Sequence, residues 1–466
     1  MTRDCDVIVV GGGGAGMAAA IAAAEAGASV TLFEAGKNAG GSTALSGGVF
    51  YAAGTSVQKA AGVSDDVERM YRYYMAINQW NIEPSIVRRF CDEAAPTLEW
   101  LIARGVPFDP AGLYVSGVDD APRGHHTTGS GLVLFNALLG VAGARGVDVH
   151  TGVRVESLAL DGERVCGVAA QGETMRAGAV VLAAGGYGAN RRMLAEFNPE
   201  VAAEDERWSF YFGAESSRGD GIAMARAIGA AVAGKGRLLV NASPGFSRDV
   251  ADFHPPWLVF VNTDGRRFMD ETAPYCVNGH LIAAQPGRKC FAIFDEPTRA
   301  SSPSRHPFAD KLGVGDFAYS GERLLEEAKK GRVLVADTLE TLAAKAGIHA
   351  ATLTGTVAAY NADVARGGDS RFLKQGDLKP IAKPPFYAAE VHAASFGATS
   401  AGVQIDAEAR VMHQSQRPIP ALYAAGETTG GVLGDRYVGG GNYISSAIIF
   451  GRIAGANAAG FAASCA

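Results

Sequence analysis

The opening of this chain constrains its fold more tightly than any other stretch. Residues 5–10, CDVIVV, form a short β-branched run of the kind that makes a strand buried on both faces of a parallel sheet. The run breaks into GGGGAGMAAAIAAAEAGA, an alanine-rich helix opened by glycines, and SVTLFEAG follows as a second strand. Gly11, Gly13 and Gly16 stand at the G-x-G-x-x-G spacing. The first serves the tight turn, the second lets a pyrophosphate approach the backbone, and the third lets helix pack on strand. Phosphates then sit at the positive end of the helix, beside Gly14 and Ala15. Glu34, followed by Ala35, ends the second strand 23 residues after Gly11, where a carboxylate accepts hydrogen bonds from ribose hydroxyls. A dinucleotide-binding β-α-β unit is the expectation.

Later glycine blocks decide which dinucleotide. GKNAGGSTALSGG, at 36–48, brings Gly41, Ser42, Thr43, Ser46, Gly47 and Gly48 directly after Glu34, where glycines and hydroxyls can line a pyrophosphate and a flavin edge. A nicotinamide dehydrogenase has less need of such a run, so FAD is the expected cofactor. AVVLAAGGYGAN (179–190) and ALYAAGETTGG (421–431) read as later strands whose small-residue ends meet the cofactor. Ala184, Gly185, Gly186 and Asn190 serve in the first, Gly426 and Glu427 in the second, and Val153 is assigned to the same surface. Plain strand-to-turn glycines are the competing reading.

Composition excludes several classes. With 466 residues, 48% hydrophobic and 19% charged, the chain can bury two or three cores. A net charge of −6 gives no global attraction to nucleic acid or to an anionic membrane. Its 61 glycines cluster beside apolar segments, as cofactor loops require. Six cysteines without a C-x-x-C pair point to reduced thiols, a cytoplasmic location and no zinc or iron-sulfur site. The first apolar run breaks at once into glycine, unlike a signal peptide, and no uninterrupted apolar run reaches the ~18 residues of a membrane span.

Together the three glycine blocks resemble the FAD-dependent fumarate reductase and succinate dehydrogenase flavoprotein superfamily over nearly the whole chain. The resemblance implies an α/β architecture: a Rossmann-like FAD-binding domain with an inserted α+β cap that carries catalytic groups. It divides the chain into residues 1–230 (FAD-binding domain, first part), 231–385 (cap or catalytic domain) and 386–466 (FAD-binding domain, second part). Within the first part, SDDVERMYRYYMAINQW and PSIVRRFCDEAAPTLEWLIARG carry apolar residues at helical spacing. By the same resemblance Gly219 and Asp220 abut the flavin and Glu427 binds its ribityl chain. NYISSAIIFGRIAGANAAGFAA reads as a helix along the flavin, which brings in Asn442, Ile444 and Ser445. Ser42 stands where succinate dehydrogenases bond their flavin through histidine, so FAD is expected to be non-covalent.

A dicarboxylate site needs cationic donors. NTDGRRFMDETAPY (262–275) is similar to the family segment that carries a catalytic arginine, but Tyr275 occupies that place. The family's two histidines fall near Ser243 and Ala398, leaving Arg436 as the one candidate carboxylate ligand. Phenols and small residues in place of cations point to a neutral, bulky, apolar substrate. The GGSTALSGG loop and KPPFYAAEV (383–391) look like those of the 3-ketosteroid dehydrogenases of this superfamily.

Those enzymes desaturate a C–C bond beside a ketone. The resemblance assigns carbonyl polarisation to Tyr437 and the backbone N–H of Gly441 in YVGGG, and proton abstraction to Tyr275, with Tyr114 as a candidate relay. A phenol with the ordinary pKa near 10 needs such help to act as a base at neutral pH. Tyr443 reads as a packing residue. Glycine at 439, where a Tyr-x-Ser pattern would favour 4,5-desaturation, leans the choice towards the 1,2 bond. The adjacent His125 and His126 point apart on any regular element and cannot chelate together, so RGHHTTGSG is expected to be a loop near the flavin, and His254 a structural residue on a cap-domain turn. No metal is expected. Two other readings stay open: a reductase of a conjugated acid or enone, drawing on an unidentified electron partner, and a flavoprotein subunit of an electron-transfer complex. The physiological electron acceptor stays unassigned.

Overall fold

The computed structural model describes residues 3–247, 254–305 and 317–465. They form two compact units, one of Met1–Ala203, Gly213–Leu239 and Gly397–Ala466, the other of Glu204–Phe212 and Val240–Phe396.

The first unit is built on an eight-stranded sheet. Cys5–Val10 pairs in parallel with Val30–Glu34 on one side and Glu173–Leu182 on the other, and Asp148–Thr151 and Pro418–Ala424 extend the parallel core. Val7, Ile8 and Val9 are fully buried, as a strand covered on both faces demands. An antiparallel hairpin, Val155–Asp161 with Arg164–Ala170, leads back into Glu173–Leu182. The first helix, Gly14–Glu25, is alanine-rich because it is closely packed on almost every side; Ala18, Ala19, Ala20 and Ala23 have no exposed surface. Its partner is the final helix, Asn442–Ser464. A Cβ on Gly451 would stand 2.5 Å from the Ala15 carbonyl oxygen, and one on Gly455 would stand 2.0 Å from that of Ala19, so only glycine permits this approach. Among the described residues this final helix alone is long and apolar enough to cross a membrane, but 61% of its apolar window is buried inside the molecule.

A three-stranded sheet, Val49–Tyr51, Gly124–Thr127 and Phe108–Tyr114, and the helices Val67–Ile77 and Pro84–Ile102 complete this unit. The fully buried Arg123 anchors the small sheet through ion pairs with Asp65, at 2.7 Å, and Asp119. RGHHTTGSG therefore departs from the expected loop. His125 and His126 lie in a strand, facing opposite ways, because His125 can reach Thr55 Oγ1 at 2.8 Å and the Arg123 carbonyl at 2.9 Å.

The second unit carries a five-stranded antiparallel sheet ordered Asn241–Ser243, Phe386–Ser395, Lys289–Asp295, Val259–Val261, with Val333–Ala336 also paired to Phe386–Ser395. Helices including Tyr275–Ala283, Leu339–Ala346 and Ala350–Ala365 flank it in sequence, giving the expected α+β character. Four buried charges tie it together. Glu271 accepts from Arg267 and Lys374, each at 2.8 Å, and Arg267 also reaches Asp369 at 2.6 Å. The burial of all four is tolerable because each ion meets an opposite charge.

The unit boundaries shift from those expected. Residues 231–239 stay with the first unit, where Val232–Ala233 pairs with Gly402–Val403. Phe386–Ser395 stays with the second, since it is the strand to which three others of that sheet pair.

Candidate active site

The phosphate turn forms as its spacing predicts. Gly11 has φ +108°, and a Cβ there would lie 2.2 Å from the Ala183 carbonyl oxygen. A Cβ on Gly16 would lie 1.8 Å from the Gly11 oxygen, whereas Gly13 faces open space to 3.9 Å. Open space at the middle glycine, before a helix to which Gly13 lends no side-chain cap, is what an incoming pyrophosphate needs. Thr43 Oγ1 reaches the Gly14 amide at 3.2 Å, which seats the Gly41–Leu45 helix, and with it Ser42, beside this turn. The Ser42 hydroxyl accepts from the Ala214 amide at 3.1 Å.

Glu34 is fixed at its strand end by the amides of Gly12, at 2.7 Å, and Gly36, at 2.6 Å, and Val153 donates to its carbonyl at 3.0 Å. Gly185 and Gly186 turn away from Glu173–Leu182; a Cβ on Gly186 would meet Thr399 Oγ1 at 2.0 Å and Glu427 Oε1 at 2.3 Å. One oxygen of Glu427 accepts from both the Thr399 amide and its hydroxyl, at 2.7 and 2.9 Å. Burial nevertheless pushes this carboxyl up to about 7. These glycine cradles, two held carboxyls and the helix N-terminus at Gly14 fit FAD. When bound, FAD supplies the hydride acceptor.

Several expected cofactor residues spend their side chains on the scaffold. Asn190 caps Arg191–Phe197 and donates to the Arg218 carbonyl at 2.9 Å. Asp220, after the left-handed Gly219, pairs with Arg154. Ser46 donates to the Thr43 carbonyl at 2.7 Å, and the Ser445 hydroxyl accepts the Tyr51 amide at 2.6 Å.

The second cluster gathers at the start of Asn442–Ser464. Gly441 precedes it at φ +98°, with no side-chain cap among the described residues. Tyr437 is 7% exposed and stacks on Tyr443, with ring centroids 5.2 Å apart. The Tyr443 hydroxyl shares a 2.7 Å hydrogen bond with Ser400. Helix Val67–Ile77 and its C-cap fasten this loop: Tyr73 donates to the Val438 carbonyl at 2.7 Å, Tyr74 accepts from Asn442 Nδ2 at 3.0 Å, and Asn78 Oδ1 accepts the Arg436 amide at 2.8 Å. The Ser116 carbonyl accepts the Gly440 amide at 3.0 Å, two residues beyond Tyr114, whose ring packs over Gly124. Arg436 itself is exposed.

Tyr275 belongs to the other unit, half-buried at the first position of Tyr275–Ala283. His254 is buried there, edge-on to Phe260 at 4.9 Å. Thr399, Ser400, Tyr73 and Asn78 escaped sequence reasoning; the small hydroxyl run in FGATSAG was the one available signal.

A doubly wound sheet with a phosphate turn, a terminal acid and an inserted α+β unit defines a flavin-dependent oxidoreductase. The chain belongs to the FAD binding domain family, whose model matches residues 6–444. Probable fumarate reductase Ifc3 of Shewanella frigidimarina is 33% identical over 97% of this chain and 74% of its own length. Urocanate reductase of Eggerthella lenta is 31% identical over 99% and 76%. The crystal structure of 3-ketosteroid-delta4-(5alpha)-dehydrogenase from Rhodococcus jostii RHA1 matches with TM-score 0.78 and 28% identity over 98% of both chains. The chain is an FAD-dependent oxidoreductase of the fumarate reductase family, acting on CH–CH bonds.

Proposed function

We propose that this enzyme desaturates a C–C bond beside a ketone in a bulky apolar substrate of the 3-ketosteroid class, at the 1,2 or 4,5 position, using non-covalent FAD. The observation that carries this reading is the buried Tyr437, next to the left-handed turn at Gly441, which opens a helix without a side-chain cap. A phenol O–H and a backbone N–H are neutral donors suited to a carbonyl oxygen, each worth about 3 kcal/mol in such a hole. Tyr275, at the first position of Tyr275–Ala283, takes the adjacent proton. Tyr114 is the relay. The end-to-end match with the Rhodococcus jostii enzyme supports the substrate class, and so does the exposure of Arg436, the one candidate carboxylate ligand. The buried thiols of Cys5, Cys91 and Cys290, none of them in a disulfide, support a cytoplasmic location.

A second reading has its own support. The similarity to the fumarate and urocanate reductases favours reduction of a conjugated acid or enone, with electrons from a partner.

Anaerobic mixing of the yellow protein with 5α-androstane-3,17-dione or androst-4-ene-3,17-dione separates the two. Bleaching near 450 nm by either establishes dehydrogenation; bleaching by androst-4-ene-3,17-dione assigns the 1,2 bond, and bleaching by the saturated dione alone assigns the 4,5 bond. No bleaching, together with reoxidation of the dithionite-reduced protein by fumarate or urocanate, establishes the reductase and removes Tyr275 as base.

A further inference from the structure

Tyr443, which sequence spacing leaves as a packing residue, is drawn into the site by two contacts. Its ring lies against that of Tyr437, 5.2 Å between centroids and 27° between planes, a separation at which aromatic pairs attract beyond simple burial. Its hydroxyl is held by Ser400 at 2.7 Å. Its backbone belongs to the first turn of Asn442–Ser464, where the neighbouring Asn442 is wholly buried and bonded to Tyr74. Tyr443 is thus fixed at both ends. The backbone on either side of Tyr437 is held by Asn78 at the Arg436 amide and by Tyr73 at the Val438 carbonyl, so the direction of its ring follows from what packs against it. A side chain on such a segment takes a single rotamer when a rigid face is packed against it.

We propose that Tyr443 is the positioning residue for Tyr437: its ring, locked by Ser400, sets the orientation in which the Tyr437 hydroxyl meets the substrate carbonyl. The substrate class rests on the reading above; the ring geometry does not. Misplacing a reacting group by about 1 Å can cost about 100-fold in rate, so a loosened Tyr437 is expressed in turnover rather than in binding.

The test uses FAD-loaded protein carrying Tyr443→Phe, Tyr443→Leu or Ser400→Ala, with flavin bleaching by the reactive dione followed in stopped flow. A parallel series carries 3-fluorotyrosine at position 437 for fluorine NMR. Tyr443→Leu is expected to lower the limiting rate by about 10- to 100-fold, with KM within about threefold and unchanged FAD content. Tyr443→Phe and Ser400→Ala, which keep the ring, are expected to lose no more than about fivefold. The fluorine signal should be one narrow line in the parent and in Tyr443→Phe, and broadened or doubled in Tyr443→Leu. A Tyr443→Leu variant with parental rate and line overturns the proposal. So does a Tyr443→Phe variant that falls as far as Tyr443→Leu, since the hydroxyl rather than the ring face would then matter. If the parent reacts with neither dione nor enone, the proposed function fails, and the fluorine spectra alone decide the positioning role.

Discussion

Two helices in the first unit begin after glycine runs, and they differ in what they present. Gly14–Glu25 opens with Gly11–Gly14 and offers backbone alone, whereas Asn442–Ser464 opens with Gly439–Gly441 and surrounds its first turn with Tyr437, Asn442 and Tyr443. A pyrophosphate is the same in every dinucleotide, and amides with a helix dipole suffice to hold it. A substrate carbonyl must be placed against one group at one angle, which calls for side chains. The first helix start is a binding device; under the proposed function the second is a reacting one.

The largest test of this contrast is Gly16→Val. Its Cβ would fall 1.8 Å from the Gly11 oxygen, so the purified protein is expected to carry no flavin absorbance. At the second helix, Tyr437→Phe should keep full flavin content while slowing ketone-driven bleaching about 100-fold, the cost of one lost oxyanion donor. Equal loss of flavin in both variants would erase the distinction between the two ends.

Glu427 sharpens it further, because its carboxyl is lifted from 4.5 to about 7 by burial. Since the folded state favours the protonated form, the stability this group contributes is full below pH 4.5 and lost as pH rises through 7, at no more than about 1.4 kcal/mol per pH unit. Melting of flavin-stripped protein between pH 5 and 8 should show this decline, and Glu427→Gln should flatten it. The smallest effect is expected at Tyr73→Phe, which removes the bond to the Val438 carbonyl. Calorimetry should register a loss of about 1 kcal/mol, or about 1 °C, with turnover more affected than flavin content.

The first helix start was readable because each glycine there answers a local backbone need visible in its neighbours. The strand, turn, helix and terminal Glu34 lie within thirty consecutive residues. The Ser400 contact of Tyr443 was not legible, because that hydroxyl partner is 43 residues away on another segment. The inner edge of the second unit was set at 385 because an apolar strand such as Phe386–Ser395 carries no mark of the sheet it joins. The buried charges of that unit were equally hidden. Arg267 and Glu271 look like a surface i, i+4 pair until Asp369 and Lys374 close on them from about a hundred residues on.

The close seating of Gly451 on Ala15 and of Gly455 on Ala19 bears on how the molecule is made. At about 5–20 residues per second, the ribosome delivers the partner of the first helix roughly 20 to 90 seconds after that helix emerges. Through that interval the alanine face of the first helix lacks the partner it packs against in the fold. The contact that joins these two helices therefore waits on about 400 further residues, which makes it one of the longest-range contacts in the fold.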